Sequence, residues 1–169
     1  MRTSFILSAF VLALALCSAA AAQTRTYADA DEGYELELPS PSWAVVQRRG
    51  VRRHARFVYR DTGGECRLRV RREFVDRGVT PAALADEEES ELSFLPGYVE
   101  NRLEPFAGRL RGAVLAYEYS KGGRLMAGRT YYLQADGRTV YILRFTGARK
   151  LLAQLRGETD AIARSFRLR

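Results

Sequence analysis

The clearest structural instruction in the chain is His54-Ala-Arg-Phe-Val-Tyr-Arg60, then Asp61-Thr-Gly-Gly64, then Glu65-Cys-Arg-Leu-Arg-Val-Arg-Arg-Glu-Phe74. Two runs that alternate apolar and polar residues, the period of a half-buried strand, flank a cluster of turn formers. They read as a hairpin with a four-residue loop. Placing Arg60 opposite Glu65 puts Tyr59/Cys66, Phe57/Leu68 and Ala55/Val70 on one face. Val58/Arg67, Arg56/Arg69 and His54/Arg71 then share the other. A slip of one residue would mix the two sets, so the alternation specifies its own register.

The polar face of this hairpin is unusual in its charge. Residues 48–77 hold eleven arginines, at 48, 49, 52, 53, 56, 60, 67, 69, 71, 72 and 77, against Asp61, Glu65, Glu73 and Asp76, a local charge of +7. The whole chain carries +7, so the remainder is close to neutral. With Lys121 and Lys150 the only lysines, the preference for arginine over lysine fits the codon usage of a GC-rich genome. Codon usage does not explain the clustering. Like charges directly across two strands destabilise the sheet, so the arginines require a neutralising partner. An internal partner is available in the acidic segment 81–95, whose Glu87, Glu88 and Glu91 are placed to lie over Arg67 and Arg69. An external one would be an anionic surface or an acidic protein patch. Arg48, Arg49, Arg52 and Arg53 fall in a loop with no local acid, and this loop is expected to supply more of any anion-binding surface than the strand residues Arg56, Arg67, Arg69 and Arg71.

Working outward, Tyr34, Leu36 and Leu38 alternate with Glu35 and Glu37 as a strand ending at Pro39, and Trp43–Gln47 resumes as a second strand. After the hairpin, Thr80 reads as an N-cap with Pro81 at the first helical position, and Pro96-Gly97 ends that helix. Segments 98–106, 110–120, 124–134 and 139–145 read as four strands, the last two joined at Asp136-Gly137. A closing amphipathic helix places Ala148, Leu152, Leu155, Thr159, Ile162 and Phe166 on one stripe, with Gly157 as its weak point.

At the N-terminus, Arg2 precedes an apolar run from Phe5 to Leu16, too short for a membrane-spanning helix. The small-residue stretch Ser18–Ala22 follows, and the pattern is that of a secretory signal peptide cleaved after Ala22. Cys17 invites a lipoprotein reading, but Leu16 stands where a lipobox requires a small residue. Residues 23–169 then form one exported domain, periplasmic or secreted, with a charge of +6 and Cys66 as its sole cysteine, so an intramolecular disulfide is not expected. Export argues against nucleic acid as a partner, and the chain is read as a monomer.

The opening Tyr34-Glu-Leu-Glu-Leu-Pro-Ser-Pro-Ser-Trp43 and the closing Ala161-Ile-Ala-Arg-Ser-Phe-Arg167 resemble the corresponding segments of PsbP-like domains, a group that includes DcrB-type bacterial envelope proteins. The resemblance implies an α+β domain, with a largely antiparallel sheet of about six to eight strands layered with two helices in an α/β/α sandwich. It also implies an accessory or binding role, and it carries over no catalytic residue.

The residues that might carry chemistry are few. His54, the only histidine, sits among arginines that oppose its protonation and repel a metal cation. Cys66 faces the apolar side of the hairpin as an inert thiol. Asp61-Thr62-Gly63 matches an aspartic-protease tripeptide, but that chemistry needs a second carboxylate sharing a proton, and here the triplet is a hairpin loop. Glu87 and Glu91 are spaced as a metal pair and read as solvated helix residues. Tyr117, Tyr119, Tyr131, Tyr132 and Tyr141 suit a sheet core or a carbohydrate- or apolar-ligand face, and core is the reading taken. No cofactor, metal site or catalytic residue is assigned. The function expected is an exported envelope binding or assembly module, the alternative being a hydrolase of unrecognised type that uses surface carboxylates.

Overall fold

The computed structural model describes residues 24–46 and 56–169. The leader 1–22 and its cleavage site, Arg48, Arg49, Arg52, Arg53 and His54 lie outside the described residues.

The elements run β1 (Arg25–Asp29), β2 (Tyr34–Leu38), β3 (Trp43–Val45), β4 (Arg56–Asp61), β5 (Gly64–Phe74), α1 (Pro81–Leu92) and β6 (Val99–Ala107). They continue with β7 (Arg111–Lys121), β8 (Arg124–Asp136), β9 (Thr139–Ala148), α2 (Arg149–Gln154), α3 (Arg156–Ser165) and β10 (Arg167–Leu168). Seven strands form an antiparallel sheet in the order β3-β4-β5-β9-β8-β7-β6, and a three-stranded sheet runs β1-β2-β10. The architecture is the expected α+β domain, with the strands divided between two sheets and three helices in place of two.

The hairpin register is as the alternation requires: Arg56 opposes Arg69, Phe57 opposes Leu68, Tyr59 opposes Cys66 and Arg60 opposes Glu65. The loop is tighter than expected, because Asp61 and Gly64 themselves pair and leave Thr62-Gly63 as the turn. Asp61 Oδ1 accepts the Gly63 N–H at 2.7 Å, and Gly64 takes a φ of +132° that other residues avoid. The β8–β9 turn is displaced by one residue: Asp136 pairs with Thr139, and Gly137-Arg138 form the loop.

α1 starts as read, with Thr80 Oγ1 accepting the Ala83 N–H at 3.1 Å. It packs on β6, β7 and β8 over a core of Ala85, Leu115, Tyr117, Tyr132, Val140 and Ile142. The opposite face of the large sheet is covered by α2, α3 and the small sheet. That larger core includes Trp43, Phe57, Leu68, Tyr131, Phe145 and Phe166. The closing helix is broken at Leu155, whose backbone (φ −81°, ψ 5°) leaves the helical region, two residues before Gly157. Leu151, Leu152 and Leu155 are all buried, and across the break both short helices turn apolar residues into the larger core.

The residues of the opening segment 34–43 and the closing segment 161–167 prove to be joints between layers. Trp43 Nε1 donates to Glu158 of α3 at 2.8 Å, and Ser40 Oγ donates to the same carboxylate at 3.1 Å. The Glu37 N–H donates to Ser165 Oγ at 2.9 Å. Phe166 stacks on Tyr34 with ring centroids 5.0 Å apart. Strand β2 is thus fastened to the end of α3 by a hydrogen bond and a ring contact.

On the α1 face, Gly128 lies directly opposite Tyr117, and a Cβ at Gly128 would overlap the tyrosine ring. Overpacking of this kind destabilises by about 1–3 kcal/mol. Gly128→Ala should therefore lower the thermal midpoint by several degrees, whereas Gly137→Ala, which meets nothing, should leave stability within about 0.5 kcal/mol of wild type. Calorimetry of the two variants provides the check.

Candidate functional site

Strand alternation fixes which arginines share a face. Cys66, Leu68 and Val70 of β5 are buried in the larger core, so Arg67, Arg69 and Arg71 must point to the α1 side of the sheet. Arg69 opposes Arg56 on β4 and Arg144 on β9. Three arginines therefore form a row across three adjacent strands, with Arg67 and Arg71 on either side along β5. With Arg60, six arginines on this face meet Glu65, Glu73 and Glu88. A hollow of about 20 Å³, room for roughly one water-sized group, opens among Arg69, Arg71, Ile142 and Arg144.

The neutralising acids differ from those expected. From α1, Glu88 reaches the arginines: it is buried, with Arg71 Nη2 at 3.5 Å and Arg144 Nη2 as its second partner. Glu87 and Glu91 are exposed. Arg67 is met within its own hairpin by Glu65 at 2.6 Å, and Arg60 shares that carboxylate at 3.1 Å. These two guanidiniums, Arg67 first, hold the Glu65 carboxyl below its ordinary range. The reason for the difference is lateral placement. α1 sits over β6–β8, and on β4 and β5 Arg56, Arg67 and Arg69 remain exposed. Arg144 was missed in sequence because a lone arginine within Thr139–Phe145 carries no pattern, and only the pairing of β9 with β5 reveals it.

Cys66 is fully buried and its thiol is pushed up to about 12, chiefly by loss of solvent. Asp61-Thr62-Gly63 is the hairpin turn. Among the described residues no cluster of His, Cys, Asp and Glu is arranged to hold a metal ion. Of the five tyrosines, Tyr117, Tyr131, Tyr132 and Tyr141 are buried, but on both faces of the sheet, so they form two cores and no continuous aromatic band. Burial, then the nearby Glu88 carboxylate, holds the Tyr132 phenol protonated well above the ordinary tyrosine range.

A second concavity lies on the opposite face, between β6–β8 and α2, with a volume of about 400 Å³. Its arginines, Arg102, Arg129, Arg149 and Arg156, are scattered through the sequence and gave no local signal.

The architecture is that of the PsbP-like α+β domain. The sequence matches no protein-family model and no curated protein. Solved structures of similar fold include the cyanobacterial PsbP, CyanoP, of Synechocystis sp. PCC 6803. That structure has a TM-score of 0.59 and 18% identity, and the match covers 93% of this chain and 99% of that one. LpqN of Mycobacterium tuberculosis, described as involved in cell envelope biogenesis, matches with a TM-score of 0.60 and 19% identity, over 85% and 89% of the two chains. PA94 of Pseudomonas aeruginosa, a protein of unknown function, matches with a TM-score of 0.53 and 16% identity, over 86% and 97%. Among the described residues no helix is long and apolar enough to cross a membrane.

Two outcomes follow from this geometry. Cys66 should stay unmodified by a thiol-reactive dye in native protein at pH 8 and react fully in guanidinium chloride, since burial both blocks access and suppresses the thiolate. Glu88→Ala removes the shared acid between Arg71 and Arg144. Breaking a buried ion pair costs about 3–5 kcal/mol, and the guanidiniums here are 37% and 32% exposed. Solvent screening reduces the expected loss to about 1–3 kcal/mol, read as a fall in denaturant midpoint, with Glu87→Ala as the neutral control.

Proposed function

We propose that this protein is an exported envelope binding or accessory module, without catalysis of its own, which docks through its arginine face onto an anionic surface. The observation that carries this reading is the row Arg56–Arg69–Arg144, flanked by Arg67 and Arg71, in which Glu88 of α1 meets Arg71 and Arg144 while Arg56, Arg67 and Arg69 stay exposed. A surplus of guanidiniums on a sheet face is unfavourable in the isolated protein and becomes favourable against phosphates, which arginine binds in a forked geometry. Arg48, Arg49, Arg52 and Arg53, which precede β4 in sequence, would add four positive charges to such an interaction. The description of LpqN as an envelope-biogenesis protein agrees with such a role. The signal-peptide pattern at residues 1–22 supports the compartment.

The test is co-sedimentation with vesicles of phosphatidylglycerol and phosphatidylcholine, compared with phosphatidylcholine alone. Each basic residue near an anionic membrane is worth about 1 kcal/mol. The double variants Arg67→Glu with Arg69→Glu, and Arg48→Glu with Arg52→Glu, should each weaken binding roughly tenfold or more. Wild-type binding should fall as salt shortens the Debye length below about 10 Å. Equal binding to neutral and anionic vesicles, or binding insensitive to salt, would overturn the proposal.

A further inference from the structure

The groove on the other face of the sheet has a different construction. In cross-strand register, Arg102 of β6 opposes Ala116 of β7, which opposes Arg129 of β8. One step along, Val99, Glu118 and Ala127 form the next row. Where the same face carries Tyr131 and Leu133 further along β8, the core is filled. Where it carries Ala116 and Ala127, the side chains are too short to reach α2, and a space of about 400 Å³ is left. That volume lies in the range of about 300–1,000 Å³ typical of small-molecule sites. Leu152 and Ala153 of α2 form the wall, and Val99 and Leu125, both more than half exposed, extend the apolar strip beyond the mouth.

Four arginines surround the apolar patch of Ala116, Ala127 and Leu152. Arg102 is paired with Glu104 at 2.8 Å, Arg149 with Glu118 at 3.4 Å, and Arg129 with Asp160 at 2.9 Å. Arg156 enters no ion pair among the described residues, so one positive charge is left over. Arg129 is also fixed in place: its side chain is only 12% exposed, and its Nε donates to the Tyr131 hydroxyl at 2.7 Å. A cation already ordered loses little freedom on meeting a ligand. The described lining contains no Asn, Gln, Ser or Thr, and its two carboxylates, Glu104 and Glu118, are each held by an arginine.

We propose that this groove binds a small amphiphile with a single anionic head and an alkyl chain, the head between Arg129 and Arg156 and the chain over Ala116, Ala127 and Leu152. The site is separated from the arginine face by the thickness of the sheet, and its occupancy does not depend on that face. A carboxylate and a phosphate monoester head share the chemistry required, and the probes distinguish them.

Isothermal titration of the protein lacking residues 1–22 is carried out with decanoate, decyl phosphate, decyltrimethylammonium, decanol and acetate, each below its micelle concentration. Saturable one-to-one binding of decanoate or decyl phosphate is expected, with no saturable binding of the other three. The stronger of the two anions identifies the head. Arg156→Glu should weaken binding at least tenfold, and Ala153→Phe, at an exposed helix position, should block it by filling the groove. Both variants are at exposed positions and should keep the wild-type melting temperature. The Arg67→Glu, Arg69→Glu protein should bind like wild type, which separates this result from the fate of the vesicle experiment. Absence of saturable binding by either anion, equal binding of decyltrimethylammonium or decanol, or unchanged affinity in both groove variants would overturn the proposal.

Discussion

Strand β5 imposes the constraint from which the other surfaces follow. Because side chains in a strand alternate strictly between faces, burying Cys66, Leu68 and Val70 forces Arg67, Arg69 and Arg71 together on the far side. The pairing of β5 with β4 and β9 then extends the cluster into a row, with Arg56 and Arg144 in line. A protein can offset such crowding from within, and Glu88 does so for Arg71 and Arg144. It does so at one end only, because α1 is centred on the β6–β8 half of the sheet. The electrostatic character of the whole face therefore depends on where one helix lies across seven strands.

The two faces divide the molecule by chemistry as well as by position. One presents charge with a hollow of only about 20 Å³, a geometry suited to a broad polyanionic surface and poorly suited to enclosing a small molecule. The other has a hollow, because two alanines stand where larger residues would close the gap between sheet and helix. In that hollow the guanidiniums are mostly paired, and recognition rests on shape and on a single surplus charge. Among the described residues neither surface assembles a nucleophile with a general base: Cys66 is buried in the core with its thiolate suppressed, and the groove carboxylates Glu104 and Glu118 are each bound to an arginine.

Local pattern made much of the fold legible. The hairpin announced its register through the conflict that any slip would create, and Thr80-Pro81 marked the start of α1 by chemistry that acts within three residues. What escaped notice depends on partners distant in sequence. β1 is largely exposed and its Arg-Thr-Tyr-Ala-Asp lacks a clean alternation, and β10 has only two residues, so both exist because β2 offers them hydrogen bonds. The break at Leu155 also carries no local signal, since the helical stripe continues through it. For the candidate surfaces, Arg56, Arg67, Arg69 and Arg71 stood out through clustering. Arg144 and the groove arginines became visible only when strands far apart in the chain were placed side by side.

The small sheet has a bearing on when this domain can become itself. Its middle strand, β2, is flanked by β1 on one edge and by Arg167 and Leu168 on the other, where Arg167 bonds to Glu35 and Glu37. An early segment thus waits for one made some 130 residues later, and loop closure over such a span must be achieved before the contact gives anything back. Until synthesis reaches that point, Tyr34 lacks Phe166 and Trp43 lacks Glu158. The small sheet and the joints that fasten it to α3 can therefore close only after residues 158–168 have been made.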